Sequence, residues 1–91
     1  MDIDGYVKFL ESLNLSQKGI ASRKTKLYAA EDYIGKSLDD VVADDNEMYK
    51  ALKKLQEVDD LAHAPRQNAL RKYYLFKNGK EFPRLNSFKA D

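Results

Sequence analysis

The chain has 91 residues, of which 43% are hydrophobic and 34% charged, and this composition suits one small folded domain without room for a second. It contains no cysteine, which excludes disulfide bonds and thiolate metal sites and makes a cytoplasmic location the expectation. The formal net charge is only +1, but the charges are segregated: residues 17–28 hold four Lys or Arg and no acid, residues 29–47 hold seven acids and one Lys, and residues 61–90 hold seven Lys or Arg and one acid. No membrane association is expected, because the apolar runs are short and the N-terminus lacks the apolar stretch of a signal peptide.

Apolar residues spaced by three and four positions predict four helices. The first helix is expected over about residues 3–13. The second begins after Ser16, whose hydroxyl can cap the free amides of its first turn, and it ends at Gly35, which suits a left-handed stop. Residues 36–43 are expected to form a connection with an apolar plug, because a short strand without a partner would be unstable.

The third predicted helix follows residues 44–45, two aspartates that suit a helix N-terminus. The fourth begins at Pro65, whose missing amide costs nothing in a first turn, and ends near Gly79. The domain is therefore expected over residues 1–79, with residues 80–91 as a C-terminal tail or a linker. The predicted fold is an all-α bundle with short connections.

The sequence offers little for catalysis or metal binding. The only histidine, His63, lies in a predicted connection, so a Ser or Thr nucleophile has no evident base. The acids of residues 39–47 lack the central glycine and the closing glutamate of a calcium loop. All four glycines are isolated, which excludes a glycine-rich phosphate loop. No cofactor, no metal and no enzymatic activity are expected.

Two predicted helices, the second and the fourth, have outward faces with hydrogen-bond donors and no acid. Arg, Lys, Gln and Asn are the residue types that bond DNA phosphates and base edges. The same pattern also fits a helical protein-interaction or self-association domain, in which the acidic residues 39–47 of one copy meet the basic face of another. The candidate DNA-binding residues are Lys18, Ser22, Arg23, Thr25, Lys26, Arg66, Gln67, Arg71 and Lys72.

Four short segments follow one another along the chain. They are LSQKGI at residues 15–20, GKSLDDV at residues 35–41, DNEMY at residues 45–49 and ALRKYYLF at residues 69–76. In this order and spacing they resemble the core-binding domain of tyrosine recombinases and phage integrases, and the resemblance covers residues 3–78. It departs at residues 62–67, AHAPRQ, where the family has Thr-Ile followed by polar residues.

The resemblance implies a four- to five-helix, SAM-like orthogonal bundle that forms one half of a clamp around double-stranded DNA. It implies a nucleoid-associated module, monomeric in isolation, that works beside a catalytic domain of the same parent chain. The catalytic signature of the family, an Arg, a His-x-x-Arg and a nucleophilic Tyr, has no counterpart in the 91 residues, and Tyr73 and Tyr74 fall in the apolar stripe of the fourth helix. The DNA-facing positions carried over from the family are Lys18, Ser22, Thr25, Lys26, Arg71 and Lys72.

Overall fold

The computed structural model describes residues 1–89, which form five α-helices and no strand. The helices are α1 (Ile3–Ser12), α2 (Gln17–Ile34), α3 (Leu38–Val42), α4 (Asp45–Leu55) and α5 (Pro65–Asn78). The four predicted helices are confirmed as α1, α2, α4 and α5. No helix among residues 1–89 combines the length and the apolar character that crossing a bilayer requires.

The longest helix, α2, begins and ends at the predicted signals. Ser16 accepts a hydrogen bond from the backbone N–H of Gly19 at 3.0 Å, so its hydroxyl caps the first turn. Gly35 has a φ of 77°, a left-handed conformation that a residue with a side chain rarely adopts. The connection that follows contains α3, whose three apolar residues are buried, so the apolar plug is a single short helix.

Buried side chains from all five helices form one hydrophobic core. The most extensive contact between two helices is that of α2 with α5. Tyr6 of α1 is linked to α5, because its hydroxyl donates to the carbonyl of Ala69 at 3.1 Å. Burial raises the pKa of Tyr6, so the hydroxyl keeps the proton that it donates. The radius of gyration is 12.3 Å, close to the ~12 Å expected for one domain of this length.

The two tyrosines of α5 are part of the core. Burial and a hydrogen bond to Asp39 raise the pKa of Tyr73 to about 12, and burial and a hydrogen bond to Asp45 raise that of Tyr74 to about 12. Asp39 also lies 3.4 Å from the N-terminal ammonium group of Met1, which fixes the start of the chain against α3. The protonated phenols serve as hydrogen-bond donors that anchor α5.

The C-terminal segment, residues 80–89, packs against the core. Phe82 is buried, and its ring lies 5.2 Å from that of Tyr74 and 5.1 Å from that of Phe88, measured between ring centroids. The guanidinium of Arg71 donates to the carbonyls of Phe82 at 2.9 Å and of Pro83 at 3.2 Å. The last two residues of the predicted tail, 90–91, lie outside the described residues. Of the first ten, Phe82, Leu85 and Phe88 pack on the core.

Candidate nucleic-acid interface

A groove follows the seam between α2 and α5, and it is called here the α2–α5 groove. It consists of two cavities of about 310 and 170 Å³. The larger cavity is lined by Arg23, Asn68, Arg71, Lys72, Leu75, Glu81 and Phe82. The smaller one is lined by Ser22, Arg23, Lys26, His63, Pro65 and Asn68. Because Arg23 and Asn68 line both cavities, the two are parts of one continuous surface.

Arg23 occupies an unusual position on α2. It is three residues after Ile20 and four before Leu27, so it lies on the buried stripe of the helix. The side chain is partly buried, and its Nε is shielded from solvent without a hydrogen-bond partner among residues 1–89. Buried donors are nearly always paired in folded proteins. The structure therefore leaves one donor of a groove-lining guanidinium without a partner among residues 1–89.

The lysines and arginines of the groove form no salt bridge within residues 1–89. The salt bridges among residues 1–89 involve the N-terminal amine, Lys36, Lys50 and Arg66, and His63 forms a fifth with Asp60 only when its ring is protonated. None of them contains a lysine or arginine that lines the groove. The charges of Lys26 and Lys72 are therefore available to an external anion, whereas Arg71 is also bonded to backbone carbonyls.

Arg71 lines the groove and also binds the C-terminal segment. Its hydrogen bonds to two backbone carbonyls tie α5 to the C-terminal segment, and burial lowers the pKa of its guanidinium. The neighbouring Glu81 acts in the opposite direction by favouring the charged form. Glu81 is also the one acid among the residues that line the two cavities.

The nine predicted site residues divide into three groups. Five line the groove, and these are Ser22, Arg23, Lys26, Arg71 and Lys72. Two, Lys18 and Thr25, are exposed on α2 and line neither cavity. The remaining two, Arg66 and Gln67, are held by a buried carboxylate instead.

That carboxylate belongs to Asp59, which closes the first turn of α5. It accepts hydrogen bonds from the backbone N–H of Arg66 at 3.1 Å and of Gln67 at 2.9 Å. The two side chains donate to it as well, Arg66 Nη1 at 3.1 Å and Gln67 Nε2 at 3.3 Å. Since these donors are already bonded within the chain, Arg66 and Gln67 position the helix rather than extend the groove.

Six residues that line the groove were not among the predicted site residues, and Asn68 and His63 are two of them. Asn68 lies three and four positions before Arg71 and Lys72, a spacing that places all three on one face of a helix and could have revealed it. Its Nδ2 donates to the carbonyl of His63 at 2.7 Å. His63 itself is exposed at the end of the groove, with Nδ1 3.2 Å from Oδ1 of Asp60. No local pattern assigns the histidine to the groove, because its place depends on the fold of the α4–α5 loop.

The acidic region has internal partners. Four of the five acids in residues 39–47 bond within the chain, to hydroxyls, backbone amides or lysines. Within residues 1–89, no group of three or more His, Asp or Glu side chains is placed to hold a metal ion. A wider hollow of about 840 Å³ lies by the C-terminal end of α2, but its charged side chains are two acids and one lysine, which do not suit a polyanion.

The fold and the groove define a class of structure: a small all-helical domain with cations from two helices gathered in one seam. Comparison with known protein families, with curated proteins and with solved structures finds no match to this chain. The chemistry of the groove suits a ligand that carries several negative charges, because guanidinium, ammonium, hydroxyl and amide donors meet there with one carboxylate.

Proposed function

We propose that this chain is a DNA-binding module that contacts double-stranded DNA through the α2–α5 groove and the adjoining exposed face of α2. The observation that carries the proposal is the convergence of cations from two helices, none of them in a salt bridge within residues 1–89. Lysine and arginine side chains that neutralise phosphates release the counterions bound to DNA, which supplies most of the affinity. The binding is therefore expected to be weak alone and strongly salt-dependent.

The size of the groove agrees with contact to one DNA strand. From Pro65 to Lys72, α5 advances seven residues, or about 10 Å. One strand of a duplex rises about 3.4 Å per phosphate along the helix axis, and the phosphates are farther apart along the winding strand itself, so a groove of this length reaches about two adjacent phosphates. Lys18 and Thr25 on the exposed face of α2 extend the contact area beyond the groove.

The wider setting rests on the resemblance to the core-binding domain of tyrosine recombinases and phage integrases. In that family the corresponding helices lie against DNA, and a five-helix domain is compatible with a SAM-like orthogonal bundle. The chain would then serve as one half of a clamp in an integrase-like or recombinase-like protein of the nucleoid. It would be non-catalytic, with the DNA cleavage chemistry in a separate domain of the parent chain.

Self-association through the acidic residues 39–47 has less support. Four of the five acids in that region are already engaged within the chain, so an approaching basic face would have to replace these contacts. Breaking internal ion pairs to make similar external ones gives little net free energy. Sedimentation that depends on protein concentration without DNA would reverse this preference.

The proposal is tested by single alanine variants of the two lysines of the groove, Lys26→Ala and Lys72→Ala. Each is expected to weaken binding to a fluorescently labelled duplex by about three- to tenfold at low salt, because one phosphate contact is lost. Each should also lower the slope of log affinity against log salt by about one. Fluorescence anisotropy measures both quantities.

The matched control is Lys53→Ala on α4. Lys53 is exposed and lines neither cavity of the groove, so its loss removes the same charge from another place. Its affinity should equal that of the parent chain. If both groove variants bind like the parent, or if all three lose affinity equally, the proposed interface is wrong. Arg71 is a less suitable probe, because it also holds the C-terminal segment.

A further inference from the structure

We propose that the centre of the α2–α5 groove is a discrete site for a single phosphate group, centred on Arg23, and that Glu81 competes with the phosphate for this site. The inference builds on the proposed function, since it names the group of the DNA that the groove would hold. The same chemistry could come from a DNA phosphodiester or from a free phosphate. The site differs from a general basic surface because it is centred on one residue, Arg23, and because the carboxylate of Glu81 competes with the ligand.

The first observation is the unused donor of Arg23. Its Nε is shielded and has no hydrogen-bond partner among residues 1–89, and the side chain lies where the two cavities of the groove meet. A guanidinium presents several donors in a planar fork that matches the oxygens of a phosphate. A phosphate at the junction of the cavities would meet the guanidinium of Arg23, and a turn of the side chain toward the cavity would bring the shielded Nε to this acceptor.

Two neighbours of Arg23 complete the site. Lys72 lines the same cavity, is partly buried and takes part in no salt bridge within residues 1–89. Asn68 has one amide hydrogen engaged with the carbonyl of His63, which orients the group and leaves its second N–H to donate. Together these side chains offer one phosphate the planar guanidinium of Arg23 on α2, and the ammonium group of Lys72 and the neutral amide donor of Asn68 on α5.

Glu81 brings the opposing charge. It lines the larger cavity together with Arg23 and Lys72, and it stands next to Phe82, whose buried ring fixes the segment. A carboxylate that lines the same cavity as the cations disfavours a second anion there by like-charge repulsion. Phosphate therefore has to displace the carboxylate of Glu81 or bind beside it. Removing the charge of Glu81 should tighten phosphate binding.

The decisive experiment uses the whole chain and inorganic phosphate as the probe. The arginine Nε–H signals are followed by two-dimensional NMR while phosphate is added at constant ionic strength, with sodium chloride as the reference salt. The signal of Arg23 is expected to shift in a saturable way, whereas that of Arg66, which is paired with Asp59, should stay in place. An Arg23 signal that responds no more to phosphate than to chloride overturns the inference.

Two variants test the role of Glu81. Glu81→Gln is expected to tighten phosphate binding by about two- to fivefold, the range for one interaction between exposed charges. Glu11→Gln removes an exposed carboxylate of α1 that lines neither cavity, and it should leave the affinity unchanged. Equal affinity in the parent and in Glu81→Gln shows that Glu81 is not a competitor. Both readouts use folded protein, so neither depends on a variant of Arg23.

A short duplex then distinguishes the two sources of phosphate. If the duplex shifts the Arg23 signal and displaces inorganic phosphate, the site holds a phosphodiester of DNA. If inorganic phosphate binds but the duplex does not, the phosphate site stands and the DNA-binding proposal fails. If the duplex binds while the Arg23 signal stays unmoved, the DNA-binding proposal stands and the phosphate site is wrong.

Discussion

Replacing Asp59 by alanine is expected to lower the free energy of unfolding by about 2–4 kcal/mol, because a buried and paired acceptor is removed. The carboxylate is completely shielded and accepts four hydrogen bonds from Arg66 and Gln67. The residue that precedes α5, Ala64, has a left-handed φ of 43° and gives no side-chain cap. Asp59 is thus the side chain that satisfies the first amides of α5.

Thermal or chemical denaturation measures this loss, and for a domain of this size each kcal/mol lowers the melting temperature by about 4–8 °C. The adjacent Asp60→Ala is the matched control. Asp60 is 58% exposed and bonds only to His63 and the turn around it, so its removal should have a much smaller effect. Equal stability of the two variants would show that Asp59 does not anchor α5.

Phe82→Ala is expected to destabilise the chain by about 3–4 kcal/mol, the usual cost of removing a fully packed phenylalanine. Only 4% of Phe82 is exposed, and its ring contacts those of Tyr74 and Phe88. The C-terminal segment would lose its main anchor, so Arg71 would also lose the carbonyls that it binds. Urea denaturation measures the change in stability.

The exposed Arg84→Ala, in the same segment, serves as the control and should unfold like the parent. If Phe82→Ala were as stable as the parent, the domain would end near Gly79 and the segment would act as a linker. A large loss instead places the functional boundary of the domain beyond residue 82.

Local signals account for the parts of the fold that the sequence predicts well. The bounds of α2 follow from Ser16 and Gly35, because a cap and a left-handed glycine act over only a few residues. The α3 helix escaped prediction, since five residues make little more than one turn and show no clear period. The apolar residues of the C-terminal segment show no helical period, because this segment is not a helix. Its packing depends on aromatic contacts with α4 and α5, which a local pattern does not reveal.

The candidate site shows the same division between local and long-range information. Helical spacing predicts which residues of α2 and α5 face outward, but the seam that gathers them into a groove depends on how the two helices pack. Asp59 and Asp60 are indistinguishable as neighbours in the sequence, yet one is buried and the other exposed. The difference comes from the packing of the α4–α5 loop. Because Asp59 is buried there, its carboxylate binds Arg66 and Gln67, and neither residue lines the groove.

The most direct test of the DNA-binding proposal is a titration of the isotope-labelled chain with a short duplex at low salt, followed by amide NMR. Binding through the α2–α5 groove predicts that the largest shifts fall in residues 22–26 and 68–72 and disappear when salt is raised. No shift at any duplex concentration, or shifts confined to the acidic residues 39–47, would contradict the proposal.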